Sequence, residues 1–179
     1  MALGWNTPAS QRIRFEMLSQ IADLSNSSVI DLGCGRGDLS VYLGERFPGI
    51  KYTGIEQHET FIDIANRQYG HLPNTRFITG NFWTETIPVA DFILASGSLN
   101  YKNSDPGFIY KMIRKLFQSS ATGLGFNLLS NIGYPPFHLC AYKPEVILPF
   151  CETLSAHVVL REDYQEGDYT VYVYKTPAR

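Results

Sequence analysis

The sequence predicts an α/β fold: a doubly wound, mainly parallel, seven-stranded sheet that ends in an antiparallel hairpin. Three observations lead there. Short apolar runs alternate with amphipathic stretches along most of the chain, the pattern of βαβ units. The last two apolar runs are only about seven residues apart, too close for a crossover helix, so they pair antiparallel. The 179 residues are 44% hydrophobic and 18% charged, which suits one domain with a real core rather than a disordered chain.

The elements follow in order. Residues 8–24 set Ile13, Met17, Ile21 and Leu24 on one face at helical spacing, which predicts a helix. Residues 29–32 (VIDL) form a strand, 33–37 a glycine-rich turn, and 38–47 a helix stopped by Pro48-Gly49. A strand at 51–55 leads into a helix at 59–69, and 76–79 is the third strand. Residues 82–87 make a loop or a single helical turn, and 91–95 (DFILA) a buried strand. The next helix covers 106–118, with Pro106 near its first turn, and a strand follows at 122–129. Residues 130–142 are irregular and aromatic, 143–154 a helix, and 157–161 and 169–175 the final strands around Glu166-Gly167-Asp168.

Chemistry gathers at the C-terminal ends of the strands, where open parallel sheets bind ligands. The strongest local signal is VIDLGCGRG at 29–37, a strand ending in Asp31, a turn carrying Gly33, Gly35 and Gly37, then a helix. Glycines let the backbone approach a ligand closely and accept positive φ. The helix start suits an anionic group, and Asp31 suits a cationic amine. Position 38 is Asp, so the dinucleotide fingerprint G-x-G-x-x-G is absent, and no Gly-Lys-Ser/Thr follows to make a phosphate loop. Glu56 ends the second strand, placed to accept hydrogen bonds from both hydroxyls of a ribose. Asn81 and Phe82 follow the third strand; the amide oxygen suits an adenine amine and the ring suits stacking. Ser96 and its neighbours end the fourth.

As a set these motifs resemble class I S-adenosylmethionine-dependent methyltransferases, small single-domain members, with a Rossmann-like fold. VIDLGCGRG is similar to the family's first motif, YTGIEQ to its second, ITGNF to its third and ADFILASGSL to its fourth, and the resemblance spans about residues 29–175. It implies S-adenosyl-L-methionine as cofactor, with Asp31, Gly33 and Gly35 around the methionine moiety, Glu56 on the ribose and Gln57 beside the adenine. Asn81 stands where the family usually has Asp. The run GWNTPASQRIRF resembles a subset in which the preceding helix closes the cofactor site. Residues 1–26 then form a helical lid on an α/β core at 27–179, with Gln11 and Arg14 reaching the methionine carboxylate. A plain surface charge is the other reading of Arg14.

On the acceptor side, Asn100, Tyr101, Tyr134, Phe137 and His138 fall in loops after the fourth and fifth strands. His138 is a candidate general base or a packing residue. The Asn-Pro-Pro-Tyr type of tetrapeptide that the family's base-amine methylators carry after strand four is absent. A net charge of −2 speaks against a dedicated nucleic-acid binder. Cys34, Cys140 and Cys151 show neither disulfide nor zinc spacing, so no metal is expected. No signal peptide or membrane span is read, which makes a reducing cytoplasm the expected compartment. The expected activity is methyl transfer to a small molecule. Two alternatives stay open: methylation of a protein or RNA alongside a partner protein, and cofactor binding without transfer.

Overall fold

The computed structural model describes residues 7–132 and 138–177. Helix α1 (Pro8–Ser19) opens on a reciprocal cap: the Thr7 hydroxyl accepts from the Ser10 N–H at 3.1 Å, and the Ser10 hydroxyl accepts from the Thr7 N–H. The helix stops five residues before the predicted end. Asp23 takes both the N–H and the hydroxyl of Ser25 into a local turn, and Asn26 adopts a positive φ, so the chain there has a competing set of partners.

The remaining elements are β1 (Ser28–Leu32), α2 (Asp38–Gly44), β2 (Lys51–Glu56), α3 (Glu59–Tyr69), β3 (Thr75–Thr79), β4 (Ala90–Ala95), α4 (Phe108–Ser119), β5 (Ser120–Leu129), α5 (Pro144–Leu154), β6 (Val158–Arg161) and β7 (Asp168–Tyr174). Sheet order is β3-β2-β1-β4-β5-β7-β6. The first five strands are parallel, and β7 runs antiparallel between β5 and β6. The predicted sheet and hairpin are therefore both present. Residues 82–87 form a turn, as one of the two readings had it.

Period-two side chains split the core across the sheet. On one face Val29, Tyr52, Phe92, Leu94, Tyr172 and Tyr174 pack with α1, α2 and α3. On the other, Ile30, Leu32, Ile93, Val171 and Val173 pack with α4 and α5. Helix α1 is bound into the first layer rather than laid over it: Tyr172 and Tyr174 donate their hydroxyls to the carbonyls of Met17 and Ile21. Its outer turns, bearing Gln11, Arg14 and Phe15, reach past the sheet edge to the ends of β1 and β7. Among the described residues no helix is long and apolar enough to cross a membrane.

Candidate functional site

The sheet order reverses between β1 and β4, and a cavity of about 440 Å³ opens at the C-terminal ends of these strands. Its floor is the glycine turn. The N–H groups of Gly33 and Cys34 both reach back to the Ile55 carbonyl, at 2.8 and 3.2 Å, fixing the turn to the end of β2. Gly33 has φ of 70°, and a Cβ there would collide with Ser98, whose hydroxyl donates to the Leu32 carbonyl at 2.6 Å. Gly35 has φ of 55°, a conformation open to glycine at little cost, and its N–H points to Glu56.

Two buried carboxylates stand over this floor. Glu56 accepts the Gly35 N–H at 3.2 Å through one oxygen and the His58 N–H at 3.0 Å through the other. It joins the glycine turn to the start of α3, yet still faces the cavity. Asp31 is 2% exposed and accepts the Tyr52 hydroxyl at 2.5 Å through Oδ2. Its Oδ1 is buried without a hydrogen-bond partner. Burial lifts the Asp31 carboxyl to about 7, the Glu56 and Asp38 charges adding to the rise while the Tyr52 hydroxyl opposes it. The same burial pushes the Cys34 thiol well up, so it stays protonated.

The walls come from other elements. Phe61, Phe82 and Trp83 line the side next to β2 and β3, together with Gln57 and His58. Lys115 of α4 gathers the carbonyls of Phe82, Trp83 and Glu85 at 2.7, 3.3 and 2.5 Å and so fixes the loop bearing these rings. At the far end lie Ser96, Asn127, Leu128, Leu129 and Leu139. There the Tyr101 and His138 rings stack at 5.9 Å and 22°, held by a short bridge between Tyr101 and Leu139. Burial and the Glu56 charge raise the Tyr101 hydroxyl.

Most sequence-predicted residues meet in this cavity: Arg14, Asp31, Gly33, Gly35, Glu56, Gln57, Phe82, Ser96, Asn100, Tyr101 and His138 all line it, as does Gln11. Three of the predicted residues have their polar groups engaged within the protein. Asn81 does not line the cavity, because its amide oxygen accepts the Trp83 N–H at 3.0 Å in a local turn. Asn100 is committed at both ends, donating to the Cys140 carbonyl and accepting from Leu129 N–H, so it ties loops together. Arg14 is neither a surface charge nor directed at an incoming carboxylate by the bonds seen here. It is buried and makes a two-pronged pair with Asp168, Nε to Oδ2 at 2.9 Å and Nη2 to Oδ1 at 2.8 Å. Tyr134 and Phe137 lie outside the described residues.

Sequence reasoning missed Asp168, Asn127, Trp83 and Lys115. Asp168 stands in the turn signal Glu166-Gly167-Asp168, yet it begins β7 and closes on α1 across 154 positions. Asn127 sits inside the apolar run of β5, and a lone amide in such a run is the one signal that marked it. It accepts from Ser96 at 3.2 Å and donates to Thr170 at 2.6 Å. Among the described residues no cluster of His, Cys, Asp and Glu is arranged to hold a metal.

Known proteins fit this geometry. Residues 29–119 match the family described as "Methyltransferase domain". Trans-aconitate 2-methyltransferase of Acidovorax ebreus is 27% identical over 134 residues, 73% of this chain and 50% of that protein. The chain spans about half the length of the curated relatives it matches. Among solved structures, magnesium protoporphyrin IX methyltransferase from Synechocystis with bound SAH superposes with a TM-score of 0.71 at 14% identity, covering 93% of this chain and 84% of that one. A SAM-dependent methyltransferase from Aquifex aeolicus gives 0.68 at 17%, covering 96% and 95%. At these identities the structural likeness carries the fold.

Proposed function

The chain belongs to the methyltransferase-domain family, and on that premise we propose that it transfers a methyl group from S-adenosylmethionine to a small-molecule acceptor. The observation that carries the reading is the pair of buried carboxylates at the ends of β1 and β2, flanking a turn of left-handed glycines. Asp31 Oδ1 is a buried acceptor with no donor, which an ammonium group satisfies. Glu56 spends one lone pair of each oxygen on the backbone, leaving one on each for ribose hydroxyls. Phe82 and Trp83 offer faces and edges to a base, and Gln57 a rim amide. The Asn81 amide oxygen accepts the Trp83 N–H and so steadies the turn that carries these rings.

S-adenosylmethionine, when bound, supplies a methyl group already activated on a sulfonium. This chain's work is then to hold the donor, orient the acceptor and exclude water. The carboxylates exceed the cations around the cavity, a field suited to a positively charged donor. Ser96 and the Tyr101–His138 stack border the space beyond Asp31, where the acceptor lies. The cavity of about 440 Å³, lined on one side by Gln11, Arg14 and Phe15 of α1, is of the size that small-molecule sites have.

Titration calorimetry tests the reading. S-adenosylhomocysteine should bind with a Kd in the micromolar range, about −8 kcal/mol, and NADH and ATP far more weakly. NADH binding of equal strength would remove the basis for the assignment.

A further inference from the structure

The methyltransferase reading leaves the acceptor unnamed, and the charges of the cavity bear on it. Resting on that reading, we propose that the acceptor arm takes an uncharged ring-bearing molecule and rejects polycarboxylates, with Asp168 as the residue that sets this preference. Trans-aconitate, the compound in the relatives' names, is a tricarboxylate. To bind it, a site needs cations that nothing else has claimed.

This cavity lacks that provision among its described residues. Arg14 is the single Lys or Arg in the lining, beside the two histidines His58 and His138, against Asp31, Glu56 and Asp168. Its guanidinium is locked to Asp168, both side chains being nearly inaccessible at 10% and 1% exposure. Gln165 adds a third hydrogen bond to the same carboxylate at 2.6 Å, holding it toward Arg14. A carboxylate entering here would have to displace Asp168 and then lie beside it, which like charges oppose.

What the arm does offer is apolar and aromatic surface. Asn100 and Asn127 have both ends of their amides occupied within the protein. Leu128, Leu129 and Leu139 line the wall, and so do both rings of the Tyr101–His138 stack. A planar, uncharged body satisfies such surroundings by stacking and burial alone.

The test uses the whole chain saturated with S-adenosylhomocysteine, so the cofactor site is measured first and separately. If S-adenosylhomocysteine fails to bind, it is the methyltransferase reading that falls. With it bound, 2-naphthol and trans-aconitate are titrated in parallel by calorimetry. The expected order is 2-naphthol tighter by at least about tenfold. Equal or tighter binding of trans-aconitate overturns the proposal, and so does 2-naphthol that shows no saturable binding in the millimolar range. Asp168→Asn removes the negative charge beside Arg14, and trans-aconitate affinity should rise at least about tenfold. A folded Asp168→Asn protein with no such gain refutes the role of Asp168. If that variant does not fold, the order of affinities in the unmodified chain still decides.

Discussion

Removing the Glu56 carboxylate should injure both the fold and the cofactor site, in separable amounts. The side chain is 7% exposed and accepts the N–H groups of Gly35 and His58. His58 caps α3 and has no side-chain hydrogen bond of its own for that purpose, so Glu56 also answers the positive end of the helix. Glu56→Ala strips the acceptor from two N–H groups. Charge-assisted bonds of this kind contribute about 1.5–3 kcal/mol each, and water entering the open cavity recovers part of that. A net loss of about 1–3 kcal/mol remains, a fall in Tm of roughly 3–10 °C for a chain of this size. In the proposed complex the same carboxylate also holds the ribose hydroxyls, so S-adenosylhomocysteine affinity should fall at least about tenfold. Glu56→Gln keeps one oxygen, but its amide group must face the N–H of Gly35 or of His58 donor to donor, so it recovers about half of each loss. A dideoxy analogue lacking both hydroxyls separates the two effects: it should bind the unmodified chain poorly and be nearly indifferent to the substitution. Normal calorimetric affinity of Glu56→Ala for the full ligand would refute the ribose role. An unchanged melting curve would refute the bonds to Gly35 and His58.

Asp31, lifted by burial to about 7, is an acid whose folded value exceeds its unfolded one. The unliganded protein should therefore lose stability as pH rises from about 4 to about 7, by up to on the order of 4 kcal/mol, and pH-dependent melts of Asp31→Asn should lack that slope. Lys115→Met removes the ammonium that gathers three carbonyls behind Phe82 and Trp83; calorimetry should show several-fold weaker S-adenosylhomocysteine binding, and unchanged affinity would mean the rings need no such support. Gly35→Val puts a β-branched residue at φ of 55°, so binding should be lost with about 1–2 kcal/mol of backbone strain, read by calorimetry and chemical denaturation.

Local signals carried the sheet and the two cavity acids. The run DFILA is β4 with one residue added, and Asp31 and Glu56 stand at strand ends because strand, turn and helix follow one another in sequence. Where local chemistry offers two outcomes, a side chain's partner decides between them. Asn81 had a ligand or its own backbone to serve, and the nearby Trp83 N–H won. The end of α1 is likewise local: the N–H groups of Gln20 and Ile21 turn to the carbonyls of Met17 and Leu18, three residues back. Neither outcome is a matter of apolar periodicity, so the pattern that placed the helices was silent about both. Arg14 presents a harder case. Its two readings, surface charge or ligand contact, both treated it as a lone cation, whereas its state is fixed by a carboxylate 154 positions away that the topology alone brings to β7, beside α1. The same holds for Asn127 with Thr170 and for Lys115 with the loop after β3. The cofactor end of the cavity rests mainly on residues near one another in sequence, and so was legible. The charge at the β5–β7 end is set by long-range pairing, and the Arg14–Asp168 pair becomes visible only once β7 is placed beside β5.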